Sequence, residues 1–370
     1  MIYLDNAATS FPKPKPVIKE VNKCIAKYCA NPGRSGHKLA IECSEMIYST
    51  REEIADFLNY EFPEHVIFCN NATHGLNLAI KGVVNRKMHV IISDLEHNSV
   101  LRPLYKSIHE YGAEFSVYNS DLDLDEAIKP LVKDETRVLI STLSSNVTGK
   151  VISPYALSNI ARKYNLKLIL DSSQYIGHQD LDLSRINFDA LVAPGHKALF
   201  GLQGSGFVII PNGDNWPTLM EGGSGIDTLN EKMPDKLPER LEAGTLACPS
   251  IIGLKAGIEY IKKISVIEIQ KKTEALVDKA SDILSTFKHI KVYGAENGIV
   301  SFKVEGLSSD EVADILSKYD IACRSGLHCA PLIHKKLCTI NEGLLRISFS
   351  YFNKLNDLDK LYVALKDAIK

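Results

Sequence analysis

The sequence predicts an α/β protein whose larger part is a mainly parallel β-sheet layered with helices, joined to a smaller α+β part. Three observations carry this. From about residue 65 to 210, short apolar runs alternate with helix-period patterns, the mark of βαβ units. Two of these runs lead into polar residues suited to chemistry, at Asp171 and Lys197, and the carboxyl ends of parallel strands are where such sheets bind ligands. After about residue 250 the alternation stops and strands and helices follow in a looser order.

Taken in order, Pro12-Lys13-Pro14-Lys15-Pro16 reads as a stiff, extended lead-in. Val90–Ile92, Val138–Ile140, Leu168–Leu170 and Leu191–Val192 read as short buried strands. Ser153 and Pro154 open a helix to about Tyr164, as N-cap and first-turn proline. A helical pattern from Ser250 to Lys263 bridges out of the first part. Beyond it come a strand at Ile299–Val304, a helix from Ser308 with Glu311 completing a capping box, and strands near Ile321 and at Leu344–Ser348. A last amphipathic helix starts near Asn356, with Leu358, Leu361, Tyr362 and Leu365 on its apolar face.

The chain has 370 residues, 45% of them hydrophobic and 24% charged, enough to bury two sizeable cores. A formal net charge of -2 gives no reason to expect nucleic acid or an anionic membrane as partner. No apolar run approaches the length of a membrane-spanning helix, and no basic-then-apolar leader opens the chain, so the expected location is the cytoplasm. The eight cysteines form no CxxC pair and fit free thiols, mostly buried, in a reducing compartment.

An acid at the end of one strand and a lysine after the next suit pyridoxal 5′-phosphate chemistry. The lysine holds the aldehyde as a Schiff base, and the acid keeps the pyridine nitrogen protonated so that the ring accepts electrons. Taken singly, Asp171 and Lys197 are also what a solvated strand end and a surface lysine look like. Further motifs occur in order along the chain: Tyr3-Leu4-Asp5-Asn6-Ala7-Ala8-Thr9, Asn71-Ala72-Thr73-His74-Gly75-Leu76-Asn77, Glu96-His97-Asn98-Ser99-Val100, Asp171-Ser172-Ser173-Gln174, Gly195-His196-Lys197 and Arg324-Ser325-Gly326-Leu327-His328-Cys329-Ala330-Pro331. With these six the chain resembles, from end to end, the cysteine desulfurase and selenocysteine lyase family of the class V aminotransferase fold.

The resemblance implies the pyridoxal-phosphate-dependent transferase fold type I. Residues 15–250 would form a large domain around a mainly parallel seven-stranded sheet, and 1–14 with 251–370 a small α+β domain. It assigns the cofactor phosphate to Ala72 and Thr73, just before a helical pattern that starts about His74, with His196 near that phosphate. It places His97 on the pyridine ring as a proton carrier, Asn146 near the cofactor oxygen and substrate carboxylate, and Gln174 beside the ring hydroxyl. Thr245, in Glu242-Ala243-Gly244-Thr245, would reach the phosphate of a partner subunit, which implies a homodimer. Arg346 would hold the substrate carboxylate by a bidentate contact, with Arg34 and Arg324 as further substrate residues. Cys329 would be the nucleophile that takes sulfur, its thiolate favoured by His328 and Arg324.

Two positions depart from the commoner pattern. Pro194 stands where many relatives have a hydroxyl residue, and Leu327 where many have histidine. His328, Cys329, His334 and Cys338 are zinc-ligand types, but their spacing lacks the regularity of zinc sites and no metal is expected. The reading is a cysteine desulfurase acting on L-cysteine or L-selenocysteine and passing sulfur to a thiol or an acceptor protein. A selenocysteine lyase, a class V aminotransferase with no need of Cys329, and a catalytically silent scaffold of the same fold remain as alternatives.

Overall fold

The computed structural model describes residues 1–33 and 36–369, and among these seven strands form the main sheet. After a short first strand, β1 (Ile2–Tyr3), these are β2 (Val66–Cys69), β3 (His89–Ser93), β4 (Glu114–Tyr118), β5 (Thr136–Thr142), β6 (Lys167–Asp171), β7 (Ala190–Pro194) and β8 (Gly206–Ile209). Their order is β2-β8-β7-β6-β5-β3-β4, and all run parallel except β8, which pairs antiparallel with both β2 and β7. The main sheet is therefore mainly parallel and seven-stranded, as expected. The reversal at β8 was not legible, because an apolar run carries no direction.

Side chains alternate across each strand, and both faces of this sheet are covered. Val90, Ile92, Val138, Ile140 and Ile169 enter one apolar core, while Ile91, Leu139, Leu168 and Leu170 enter another on the opposite face. That is why the sequence shows unbroken apolar runs and no polar alternation. Ile140→Ala would leave a cavity under the covering helices, a loss of about 2–5 kcal/mol. Helices Ala72–Val83, Asn98–Tyr111 and Pro154–Lys163 follow strands in this part. Ser153 caps the last of them by accepting from the Ala156 N–H, with Pro154 in its first turn.

The remaining strands are β9 (Ile290–Glu296), β10 (Ile299–Val304), β11 (Ile321–Ala322) and β12 (Leu345–Ser348). β12, β10 and β9 form an antiparallel sheet, and helices Val266–Ser285, Ser309–Lys318 and Asp357–Ala368 pack on it around Leu276, Phe302, Val312, Ile347 and Leu361. The chain start returns to this part: β1 pairs with β11, and Leu4 enters its core. The capping box of Ser308 and Glu311 forms as the spacing predicts. Helix Cys248–Ile264 packs against helices Lys15–Lys27 and Lys38–Phe57.

Two local expectations are corrected. The proline-rich lead-in is extended only to Pro14, which caps a helix starting at Lys15, and Pro16 sits in its first turn, where a missing N–H leaves no bond unmade. On the last helix, Leu358, Leu361 and Leu365 are buried but Tyr362 is exposed, edging onto Phe287 at 5.4 Å between ring centres. Of the eight cysteines, Cys24, Cys43, Cys69 and Cys248 are buried, a smaller share than expected. Among the described residues no helix is long and apolar enough to cross a membrane.

Candidate active site

A cavity of about 150 Å³ opens at the carboxyl ends of β5, β6 and β7, lined by Ala72, Thr73, His97, Asn146, Asp171, Gln174, His196 and Lys197. Residues from five separate stretches of sequence thus meet where parallel strands end. A larger groove, about 710 Å³, lies at the opposite strand ends around Tyr60, Asn165 and Asp189, without a comparable lysine–acid pair.

Asp171 is the last residue of β6 and is 3% exposed. Its Oδ1 accepts from the Ser173 N–H at 2.9 Å and the Ser173 hydroxyl at 2.5 Å, which fixes the carboxylate plane. Lys197 lies in the turn after β7. Burial pushes its amine down to about 8, with Arg346 and Arg324 adding to the shift and Asp171 and Asp5 opposing it. An amine so poised is available in neutral form near neutrality, as imine formation and proton abstraction require.

The helix expected to start about His74 begins at Ala72, and its N-cap is Asn71, whose side chain accepts from the His74 N–H. Thr73 is therefore inside the first turn. Among the described residues the backbone N–H groups of Ala72 and Thr73 have no acceptor, so they remain free for an anion at a helix N-terminus. Gly75 allows this helix to sit on β7: a Cβ there would lie 2.7 Å from Val192 Cγ1. His97 caps the next helix, Asn98–Tyr111, through Nδ1, which accepts from the Ser99 N–H at 3.0 Å and contacts the Ser99 hydroxyl at 2.7 Å. That leaves the proton on Nε2. Burial, with the Lys197 charge, pushes His97 down to about 4, so the ring is neutral. The Ser99 hydroxyl also meets Thr73 Oγ1 at 2.9 Å, linking the ring to the helix start.

Gln174 is buried and donates from Nε2 to the Ala7 carbonyl at 2.8 Å. His196 Nδ1 is buried without a partner, while its carbonyl accepts from the Ser10 N–H and from Lys13 Nζ. Burial holds that ring near 4, helped by Lys197 and Lys13.

The Cys329 loop is docked against this cavity by hydrogen bonds to its backbone carbonyls. Asn146 Nδ2 donates to the His328 carbonyl at 2.7 Å, and the Asn98 N–H donates to the Cys329 carbonyl at 2.7 Å. Cys329 itself is exposed. His328 does not match its expected role. It is buried, its Nε2 faces the Leu344 carbonyl at 3.1 Å, and burial beside Arg346 pushes it down to about 2. A neutral imidazole brings no positive charge to a thiolate. Cys323, only half-buried, is held at about 12 by desolvation and is a poor nucleophile.

Arg346 is 1% exposed on β12 and already paired: Nη2 meets Asp5 Oδ1 and Nη1 donates to the Asn146 carbonyl, both at 2.9 Å. Thr245 is exposed and stands outside its own chain's cavity, on a loop anchored by Glu242. The Glu242 carboxylate accepts from Arg51 Nη2 at 2.6 Å, Arg51 Nη1 at 2.9 Å and the Phe68 N–H at 2.5 Å. Arg34 lies outside the described residues. Among those that are described, no group of three or more metal-ligand side chains is arranged around a metal site.

Sequence reasoning missed Asp5, Glu96, Ser99, Ser173 and the Arg51–Glu242 pair. Ser173 had a local signal, since Asp followed two residues later by Ser makes a side-chain turn. Glu96 is fully buried, with Oε1 accepting from the Ser93 hydroxyl and the Thr142 N–H and Oε2 unpartnered. Burial raises its carboxyl to about 8.

A half-buried lysine and a buried acid share one cavity at the carboxyl edge of a doubly covered sheet, beside a helix start with free N–H groups, an arrangement suited to an anionic aldehyde ligand. The chain belongs to the aminotransferase class-V family, whose sequence model matches residues 2–361, and within it to the cysteine desulfurases. It is 32% identical to a probable cysteine desulfurase of Pyrococcus abyssi, over 100% of this chain and 94% of that one. It is 31% identical to a probable cysteine desulfurase of Borreliella burgdorferi, over 100% of this chain and 92% of that one. The apo structure of a cysteine desulfurase from Thermococcus onnurineus superposes with a TM-score of 0.90 at 29% identity, covering 100% of this chain and 94% of that one.

Proposed function

We propose that this protein is a pyridoxal-phosphate-dependent cysteine desulfurase, which moves the sulfur of L-cysteine onto Cys329 and releases L-alanine. The observation that carries this reading is the docking of the Cys329 loop onto Asn146 and Asn98, beside a cavity that contains Lys197 and Asp171.

The residues present fit the cofactor. The free N–H groups of Ala72 and Thr73 and the unpartnered His196 Nδ1 suit a phosphate, and Asp171 suits a protonated ring nitrogen. Pro194 lines the cavity without a donor, so the phosphate depends on those N–H groups and on Thr73. When bound, pyridoxal phosphate supplies the electron sink for charge left at the substrate Cα.

The chain's own groups do the rest. Lys197, neutral above about pH 8, takes the Cα proton. His97 presents an Nε2–H because Nδ1 is held as an acceptor. The Cys329 thiolate attacks the substrate sulfur; an S–S bond forms as the C–S bond breaks, and the carbon fragment leaves as alanine after protonation. Exposure of Cys329 supports passage of that sulfur to a small thiol or an acceptor protein. Thr245 serves the phosphate of a partner subunit, a reading supported by its exposure and by the buried Arg51–Glu242 anchor beneath it.

The test is product analysis with L-cysteine in the presence of a reducing thiol. Alanine and sulfide should appear in equal amounts. A keto acid in place of alanine would move the protein to the aminotransferases.

A further inference from the structure

Arg346 is a buried cation with an idle donor. Nη1 and Nη2 each have one partner, but Nε has none. A guanidinium has five N–H donors and does not shed its proton, so burial with an unused N–H is unfavourable. Asp5 engages Arg346 through one oxygen, and its side chain is 21% exposed. A monodentate pair with a partly solvated acid is weaker than the two-bond fork that a guanidinium makes with a well-placed carboxylate.

This pair borders the site. Asn146, whose carbonyl takes the Nη1 bond, lines the Lys197 cavity, and the Lys197 amine is influenced by Arg346, Arg324 and Asp5 together. An amino acid with its nitrogen near Lys197 brings its own carboxylate into the same group of charges.

We infer that Asp5 is an internal stand-in for the substrate's α-carboxylate: it holds Arg346 while no amino acid is bound and competes with the amino acid for that guanidinium. This rests on the proposed use of an amino-acid substrate. Asp5 acts as a positioning residue that sets affinity through Arg346. Arg324 offers the contrasting arrangement. Its guanidinium has no hydrogen bond or ion pair among the described residues, so a substrate held by Arg324 alone would leave Asp5 and Arg346 undisturbed.

Asp5→Asn tests this in the holoenzyme, because the amide oxygen still accepts from Nη2 while the competing charge is gone. KM for L-cysteine should fall roughly fivefold, as expected for a close charge pair that is not fully desolvated, with kcat nearly unchanged. The dissociation constant of L-alanine, read by calorimetry, should fall in parallel. Cysteamine, which keeps the amine and thiol but lacks the carboxylate, should bind as it does to wild type. Unchanged or weaker alanine binding overturns the proposal, as does an equal gain for cysteamine. Asp5→Ser, read by the same alanine titration, serves if Asp5→Asn folds poorly. If wild type makes no alanine from cysteine, the catalytic reading fails, yet the alanine titration still decides whether Asp5 competes.

Discussion

The backbone N–H of Asn98 donates to the Cys329 carbonyl at 2.7 Å, so the residue after His97 holds the loop that carries the thiol. Both His328 (φ 48°) and Cys329 (φ 57°) lie in the left-handed region, a conformation kept only because the surrounding contacts demand it.

Cys329→Ser should leave this docking intact, since the loop is held through the His328 and Cys329 carbonyls, which the substitution keeps. Alanine formation from cysteine should fall by orders of magnitude, because a hydroxyl is a far weaker nucleophile and cannot carry sulfur as a persulfide. Wild type exposed to cysteine should show one added sulfur on the Cys329 peptide by mass spectrometry. Added sulfur on Cys323 or Cys338, or wild-type rates in the serine variant, would reassign the nucleophile.

Lys197 should control the pH dependence of cofactor attachment. Its amine is held near 8 by burial, and only the neutral form attacks an aldehyde. The rate at which apoprotein forms a borohydride-reducible adduct with pyridoxal phosphate should rise about tenfold per pH unit below that value and level off above it. Lys197→Ala should form no adduct. A rate that is flat from acid to alkaline pH would show that the amine is not the titrating group.

Glu96 should make the protein lose stability as pH rises. Its carboxyl is raised from 4.5 to about 8 by burial, so between those values the folded state binds the proton that the unfolded state has released. The stabilisation is complete below the unfolded value and is lost as pH climbs through the folded one. Glu96→Gln mimics the protonated form and carries no such dependence. Urea unfolding should find the two proteins similar near pH 5, with the variant ahead by on the order of a few kcal/mol by pH 8. A difference that does not change with pH would exclude a protonated Glu96.

Shared sites should be visible in mixed dimers. A Thr245→Ala subunit paired with a Lys197→Ala subunit rebuilds one site with both residues intact, so mixing two poor homodimers should recover activity and tight cofactor binding at one site per dimer. No recovery after subunit exchange, or a monomer in sedimentation with full activity, would remove Thr245 from the partner's site.

Much of the site was legible because its signals are local. Asp171 and Lys197 each follow an apolar run, and a buried parallel strand must be apolar on both faces, so the ends of those runs mark the edge where ligands bind. Ser153 and Ser308 capped their helices as written, because a cap is satisfied within one turn of chain. The helix expected from about His74 starts two residues earlier, because Asn71 caps it by accepting from the His74 N–H.

Asp5 and Arg346 lie at opposite ends of the chain, and no spacing in the sequence hints at their contact; β1 joining β11 beside β12 makes it. Direction failed at β8 for the same reason, because pairing is a property of two strands. Residue type suggested that His328 would carry charge, yet burial leaves it neutral, and burial likewise makes Glu96 hold its proton. Chemistry that depends on residue type and local pattern is written along the chain. Protonation and ion pairing depend on how much water is removed and which distant charge moves in, and those follow only once the chain has packed.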